Sequence, residues 1–184
     1  MRLYEQSLRP MYGTVCWDVT YHPMLNLSFQ LGQPGLKIDG ETEFKGPEDL
    51  GPCELRKRRI RIEGQWFVWI YHAYWTIRAK GRTVASTSAP DRLKRMAARF
   101  LEGQRLTEIQ IKPGTGQTAF AFDLGASLTV RRIRRSSKDE LWSVNKPNGY
   151  VLCIRGDGTF DHEPSSGTDG RPRIVRRPLP MLVD

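Results

Sequence analysis

Three cysteines and three histidines are spread along 184 residues, and this scarcity excludes several function classes at the outset. Cys16, Cys53 and Cys153 are odd in number and far apart, so no disulfide framework is expected, and no C-x-x-C pair offers a zinc site. Cys16 and Cys153 lie in apolar, strand-like stretches and read as small core residues. No apolar run approaches the roughly 20 residues that span a bilayer, and the N-terminus lacks the continuous apolar segment of a secretory signal. A cytoplasmic protein is the expectation. Acid is also in deficit: 20 Asp and Glu against 29 Lys and Arg give a formal charge of +9. A positive field of that size favours nucleic acid, anionic surfaces or an acidic protein partner, and says nothing about fold.

Chemistry-bearing motifs are equally sparse. His72 stands in an aromatic stretch and reads as a core or rim histidine, while His22 and His162 sit in turns. Asp161-His162-Glu163 alternates in an extended chain, which sends neighbours to opposite sides, so no metal is expected. A Cys16 or Cys153 nucleophile paired with His72 has no flanking signature. Ser136-Ser137 and Ser165-Ser166 lack a nucleophile-elbow frame. Gly114-Thr115-Gly116 and Arg155-Gly156-Asp157-Gly158 lack the lysine and strand-to-helix setting of a phosphate loop. No catalytic residue, metal or cofactor is assigned, and an enzyme of unknown reaction is the third-ranked possibility.

What is abundant is aromatic and alternating. Gln65 to Ile77 holds three of the five tryptophans. As one strand it would send Trp66, Val68, Ile70 and Tyr74 to one side and Phe67, Trp69, Tyr71 and Trp75 to the other, requiring cover on both faces. Val15, Trp17 and Val19 share a face of a strand over 13–19, and Leu25, Leu27 and Phe29 a face of the next. Leu36-Lys37-Ile38 reads as a short strand, and 39–55 as a Gly- and Pro-rich loop insertion. Ile60 and Ile62 alternate with Arg59, Arg61 and Glu63 in a basic strand with one wet face. A helix is predicted over about 90–102, with Leu93, Met96, Ala97, Phe100 and Leu101 on its apolar face. Further strands follow to Phe160, with Asn148-Gly149 as a hairpin signal.

These elements predict an α+β protein of mainly antiparallel sheet. The first β-rich half spans 1–102 and ends in the connecting helix; the second spans 103–160; a Pro-, Gly- and Arg-rich tail covers 161–184. The halves echo one another. Phe29-Gln30-Leu31-Gly32 matches Phe122-Asp123-Leu124-Gly125, and Trp75-Thr76-Ile77 matches Trp142-Ser143-Val144 in the same order, which points to an internal duplication.

Two basic runs are the candidate binding residues: Arg56, Lys57, Arg58, Arg59 and Arg61, then Arg131, Arg132, Arg134 and Arg135. Converging on one face they would track a phosphate backbone; otherwise they are the solvated faces of half-buried strands. The frame carried by Phe122, Leu124, Gly125, Trp142, Gly149, Val151, Leu152, Asp157 and Gly158 resembles small bacterial β-rich proteins of unknown function. Among these are immunity proteins encoded beside polymorphic or contact-dependent toxins. The resemblance covers mainly the second half and implies a non-catalytic protein that binds a toxin and occludes its active site. The partner this implies is a protein such as a toxin, with nucleic-acid binding as the alternative.

Overall fold

The computed structural model describes residues 3–24, 26–45, 54–71, 73–133, 139–165 and 177–178. Helix α1 (Leu3–Leu8) and a 3-10 turn (Arg9–Met11) precede β1 (Cys16–His22), β2 (Asn26–Leu31), β3 (Gly35–Lys45), β4 (Glu54–Glu63), β5 (Trp66–Ile70), β6 (Tyr74–Ala79) and β7 (Arg82–Ser86). Helix α2 (Asp91–Arg99) leads to β8 (Leu106–Ile111), β9 (Thr118–Phe122), β10 (Ala126–Arg131), β11 (Glu140–Asn145), β12 (Tyr150–Arg155), β13 (Thr159–Pro164) and β14 (Arg177–Pro178). The described residues are mostly antiparallel sheet with two short helices. Seven strands order as β1-β2-β5-β11-β12-β13-β14, five as β7-β6-β10-β9-β8, and β3 and β4 pair with each other as a separate ribbon.

The aromatic stretch is not one strand. β5 runs in the seven-stranded sheet, whereas β6, just past the fully buried Ala73, runs in the five-stranded sheet. Alternation restarts across the gap: Trp66, Val68 and Ile70 face inward from one sheet, Trp75 and Ile77 inward from the other. Two sheets facing each other cover their apolar sides mutually, so no single strand needs a double cover. His72 lies outside the described residues.

The sheets meet through aromatic rings. Phe29 on β2 is 5.8 Å from Phe120 on β9, edge to face, and Phe120 is 5.1 Å from Trp142 on β11. All three are fully buried. Burying a tryptophan's roughly 200 Å² is worth on the order of 5 kcal/mol at about 25 cal/mol per Å². The Trp142 indole N–H still needs an acceptor, and Thr118 Oγ1 supplies it at 2.7 Å. The sheets also join at one edge, where Gly13 N donates to Leu106 O at 2.7 Å and Cys16 N to Gln104 O at 2.8 Å.

Several local expectations are corrected. A bulge at Asp18, whose φ is 50°, shifts the β1 register between Trp17 and Thr20. Cys16 and Val19 therefore point inward, while the half-exposed Trp17 donates Nε1 to Gly32 O. Most of the stretch 39–55 is strand rather than loop: β3 runs through Lys45 and β4 starts at Glu54, with 46–53 outside the described residues. Residues 161–164 belong to β13, with Asp161 buried, rather than to a tail. α2 is turned relative to its predicted face: Lys94, Ala97, Ala98 and Leu101 are buried, and Leu93, Met96 and Phe100 are exposed. A polar pocket at Tyr21 and Asp91 receives Lys94 and sets this rotation.

Replacing Trp142 with Phe removes both volume and the donor to Thr118. Urea unfolding should show a loss of about 2–4 kcal/mol at unchanged m-value. A loss below about 1 kcal/mol would mean the indole does not tie the sheets together.

Candidate functional site

The ribbon β3–β4 carries the most exposed apolar surface of any paired strands among the described residues. Its register sets Leu36 opposite Ile62 and Ile38 opposite Ile60. These four side chains are 69%, 61%, 56% and 61% exposed, respectively. The intervening positions are charged: Glu63 accepts from Lys37 Nζ at 3.1 Å and lies 2.7 Å from Arg61 Nε. Lys37, Arg61 and Glu63 line a cleft of about 630 Å³ with Gln30, Phe67 and Asn145 from the seven-stranded sheet. At the ribbon's base Gly64 N donates to Gln30 Oε1 at 3.0 Å. A Cβ at Gly64 would come within 2.9 Å of Leu31 O, so the close approach of ribbon and sheet requires glycine there. A two-stranded ribbon gains little stability of its own. Four aliphatics turned to water make it poorer still, unless something covers them.

The two basic runs belong to different elements. Arg56, Lys57, Arg58, Arg59 and Arg61 fall on β4 of the ribbon, with Arg58 exposed and Arg61 beside Glu63. Arg131 ends β10 in the five-stranded sheet, its guanidinium 4.0 Å from the centre of the Tyr74 ring. Arg132 Nη1 donates to Gly156 O at 2.9 Å. Arg134 and Arg135 lie outside the described residues. Arg61 and Arg131 line different hollows, so among the described residues no shared groove unites the runs. What sequence reasoning missed is Arg78, which β6 places on the same outer face as Tyr74, Thr76 and Arg131. Its signal is the alternation of Tyr74, Thr76 and Arg78 against Trp75 and Ile77, which a single strand over 65–77 hides.

The two described thiols, Cys16 and Cys153, are both buried. Burial pushes Cys16 well above the ordinary thiol range, with Glu102 adding to it; burial does the same to Cys153, with Glu140 beside it. His22 stacks on Trp69 at 4.8 Å with Nε2 2.8 Å from Ser28 Oγ, and His162 Nε2 lies 3.1 Å from Lys146 Nζ. Among the described residues no group of three or more His, Cys, Asp and Glu is placed to hold a metal. No described helix is long and apolar enough to cross a membrane. Comparison of the chain with protein-family models, curated proteins and solved structures finds no match.

α2 contributes a second exposed apolar row, Leu93, Met96 and Phe100, beside a fixed polar anchor. Lys94 Nζ donates to Asp91 Oδ1 at 3.1 Å and to Tyr21 Oη at 3.3 Å, and Tyr21 Oη donates to Asp91 Oδ1 at 3.2 Å. Burial alone would push Lys94 down, but the bonds to Asp91 and Tyr21 outweigh it and hold the ammonium above its ordinary value. The Lys94 bond in turn holds the Asp91 carboxyl below the usual carboxylate range. A carboxyl lowered in the folded state stabilises fully above its unfolded value, and that contribution fades as pH falls through the folded one. Asp91→Asn should therefore be less stable than wild type at neutral pH, with the gap closing below about pH 4. Thermal melts across that range check this; a gap constant with pH would contradict it.

Proposed function

We propose that this protein is a non-catalytic binding module of the immunity or antitoxin type, which docks onto a partner protein through the β3–β4 ribbon. The observation that carries the proposal is the cross-strand ladder of Leu36, Ile62, Ile38 and Ile60, each more than half exposed. Apolar surface on the order of a few hundred Å² marks an interaction site on a soluble protein. Arg58 on the same ribbon and the net charge of +9 suit a partner with an apolar groove rimmed by carboxylates. Nucleic-acid binding by the runs 56–61 and 131–135 is the weaker reading, because they stand on separate elements.

The proposal includes an internal duplication, and the strand order supports it. In each unit a helix precedes three meandering strands and a two-stranded hairpin: α1, β1-β2-β5, β6-β7, then α2, β8-β9-β10, β11-β12. β5 pairs with β11 and β10 with β6, so each meander pairs with the other unit's hairpin. Phe29 and Phe122 lie on the second strands, each followed by a left-handed glycine, Gly32 at φ 83° and Gly125 at φ 86°. Trp75 and Trp142 lie on the first strands of the hairpins, both fully buried. In the second unit, Asp123-Leu124-Gly125 alone joins strands two and three, whereas the first inserts the ribbon there. The meander is complete without a ribbon, which fits a ribbon kept for binding.

Two experiments follow. The immunity reading requires a toxin gene beside this one; co-expression with that toxin should protect cells, and a chain carrying both Ile38→Asp and Ile60→Asp should lose protection while melting within about 5 °C of wild type. A wild-type chain that neither binds nor protects against that toxin would refute the immunity assignment, and binding unaffected by the two aspartates would refute docking through the ribbon. Replacing 32–65 with Asp-Leu-Gly should leave circular dichroism and cooperative unfolding intact while abolishing partner binding. An unfolded product would show that the ribbon is structural.

A further inference from the structure

A second surface, apart from the ribbon, has a different chemistry. On the outer face of the five-stranded sheet the register sets Arg131 opposite Tyr74, Thr129 opposite Thr76, and Ser127 opposite Arg78. On the next strand Ser86 lies opposite Thr76 and Thr83 opposite Arg78. Two hollows of about 480 and 280 Å³ open on this face and share Gln117 and Arg131. Their lining includes Arg78, Arg131 and Arg132 with five Thr and Ser hydroxyls, and no carboxylate. An ordinary solvated sheet face mixes both signs of charge.

We propose that this face binds a phosphate-bearing ligand, held between Arg78 and Arg131 over the hydroxyls of Thr76, Thr129 and Ser86. The charge of the lining selects an anion, and the guanidinium forks match phosphate oxygens bidentately. Arg78 has no hydrogen-bond or ion-pair partner among the described residues, so its donors are available. Arg131 lies with its guanidinium 4.0 Å from the Tyr74 ring centre, a cation–π contact that fixes it at this end of the face. Ser86 and Ser88, together with Arg131, hold the Tyr74 phenol below its ordinary value, in keeping with a locally positive, hydrogen-bonded site. Arg78 and Arg131 are separated by four residues of strand, about 13 Å, a span that two long side chains close onto a diphosphate. Glu108, at the β8 side of this sheet, accepts from Gln110 Nε2 at 3.0 Å and is not part of the lining.

Titration with pyrophosphate, with ATP and with a short single-stranded oligonucleotide, followed by amide NMR shifts, tests the site. Pyrophosphate at roughly millimolar concentration should move the Thr76, Ser86 and Thr129 amides. The chain carrying Arg78→Gln and Arg131→Gln should bind about tenfold or more weakly with an unchanged circular dichroism spectrum. Should that double variant unfold, Arg78→Gln alone reads the loss, because Arg78 is exposed and supports no described contact. Oligonucleotide binding that exceeds ATP binding and falls steeply with salt would support the site and identify nucleic acid as the phosphate source; comparable or tighter ATP and pyrophosphate binding would support it with a small phosphoester. No amide shift, shifts confined to the ribbon, or binding unaffected by Arg78→Gln would overturn the proposal.

Discussion

Edge-to-face contact between aromatic rings of opposing sheets is the interaction on which this structure depends. Phe29, Phe120 and Trp142 form a chain that alternates between the two sheets, and Tyr21 meets Trp75 the same way at 6.2 Å. Neither sheet could leave such a face in water. The Trp142 to Thr118 bond matters because a buried indole N–H without an acceptor costs about 1–3 kcal/mol, and here the acceptor comes from the facing sheet. Thr118 Oγ1 in turn donates to Gly116 O at 2.9 Å, so the indole N–H and the hydroxyl are both satisfied.

Once the rings fix how the sheets face each other, the chain has to cross between them. It does so after β5 and again after β10, so the seven-stranded sheet draws strands from both ends of the sequence and the five-stranded sheet from its middle. The outer faces are then free to differ. The five-stranded sheet turns arginine and hydroxyl groups outward, the ribbon turns aliphatics outward, and α2 exposes Leu93, Met96 and Phe100. These surfaces add little to the core, so folding leaves their composition free to vary.

The antiparallel, β-dominated class was legible because period-two alternation recurs along the chain, and most strands fell where it placed them. The crossing inside 65–77 was not legible: both sheets bury aromatics, so a change of sheet leaves hydrophobicity unbroken, and only the inversion from Ile70 to Trp75 and Ile77 records it. The ribbon was half legible. Ile60 and Ile62 showed their alternation, but Gly40 and Gly46 masked the strand length, since composition reports turns more readily than a bulged register. The face of α2 was misread because Lys94 is buried by a partner 73 residues away, a long-range pairing that local periodicity does not register. Arg131 was found by its basic run, and Arg78 was not, because a lone arginine in a strand has no local signature.

Native-state hydrogen exchange against denaturant tests the central claim, that one aromatic core holds both sheets as a unit while the ribbon stands outside it. Amides of Phe120, Val130, Val144 and Leu152 should exchange only through a common global unfolding, and those of Leu36, Ile38, Ile60 and Ile62 should open at lower free energy. Two sheets with separable unfolding free energies, or a ribbon as protected as the core, would contradict it.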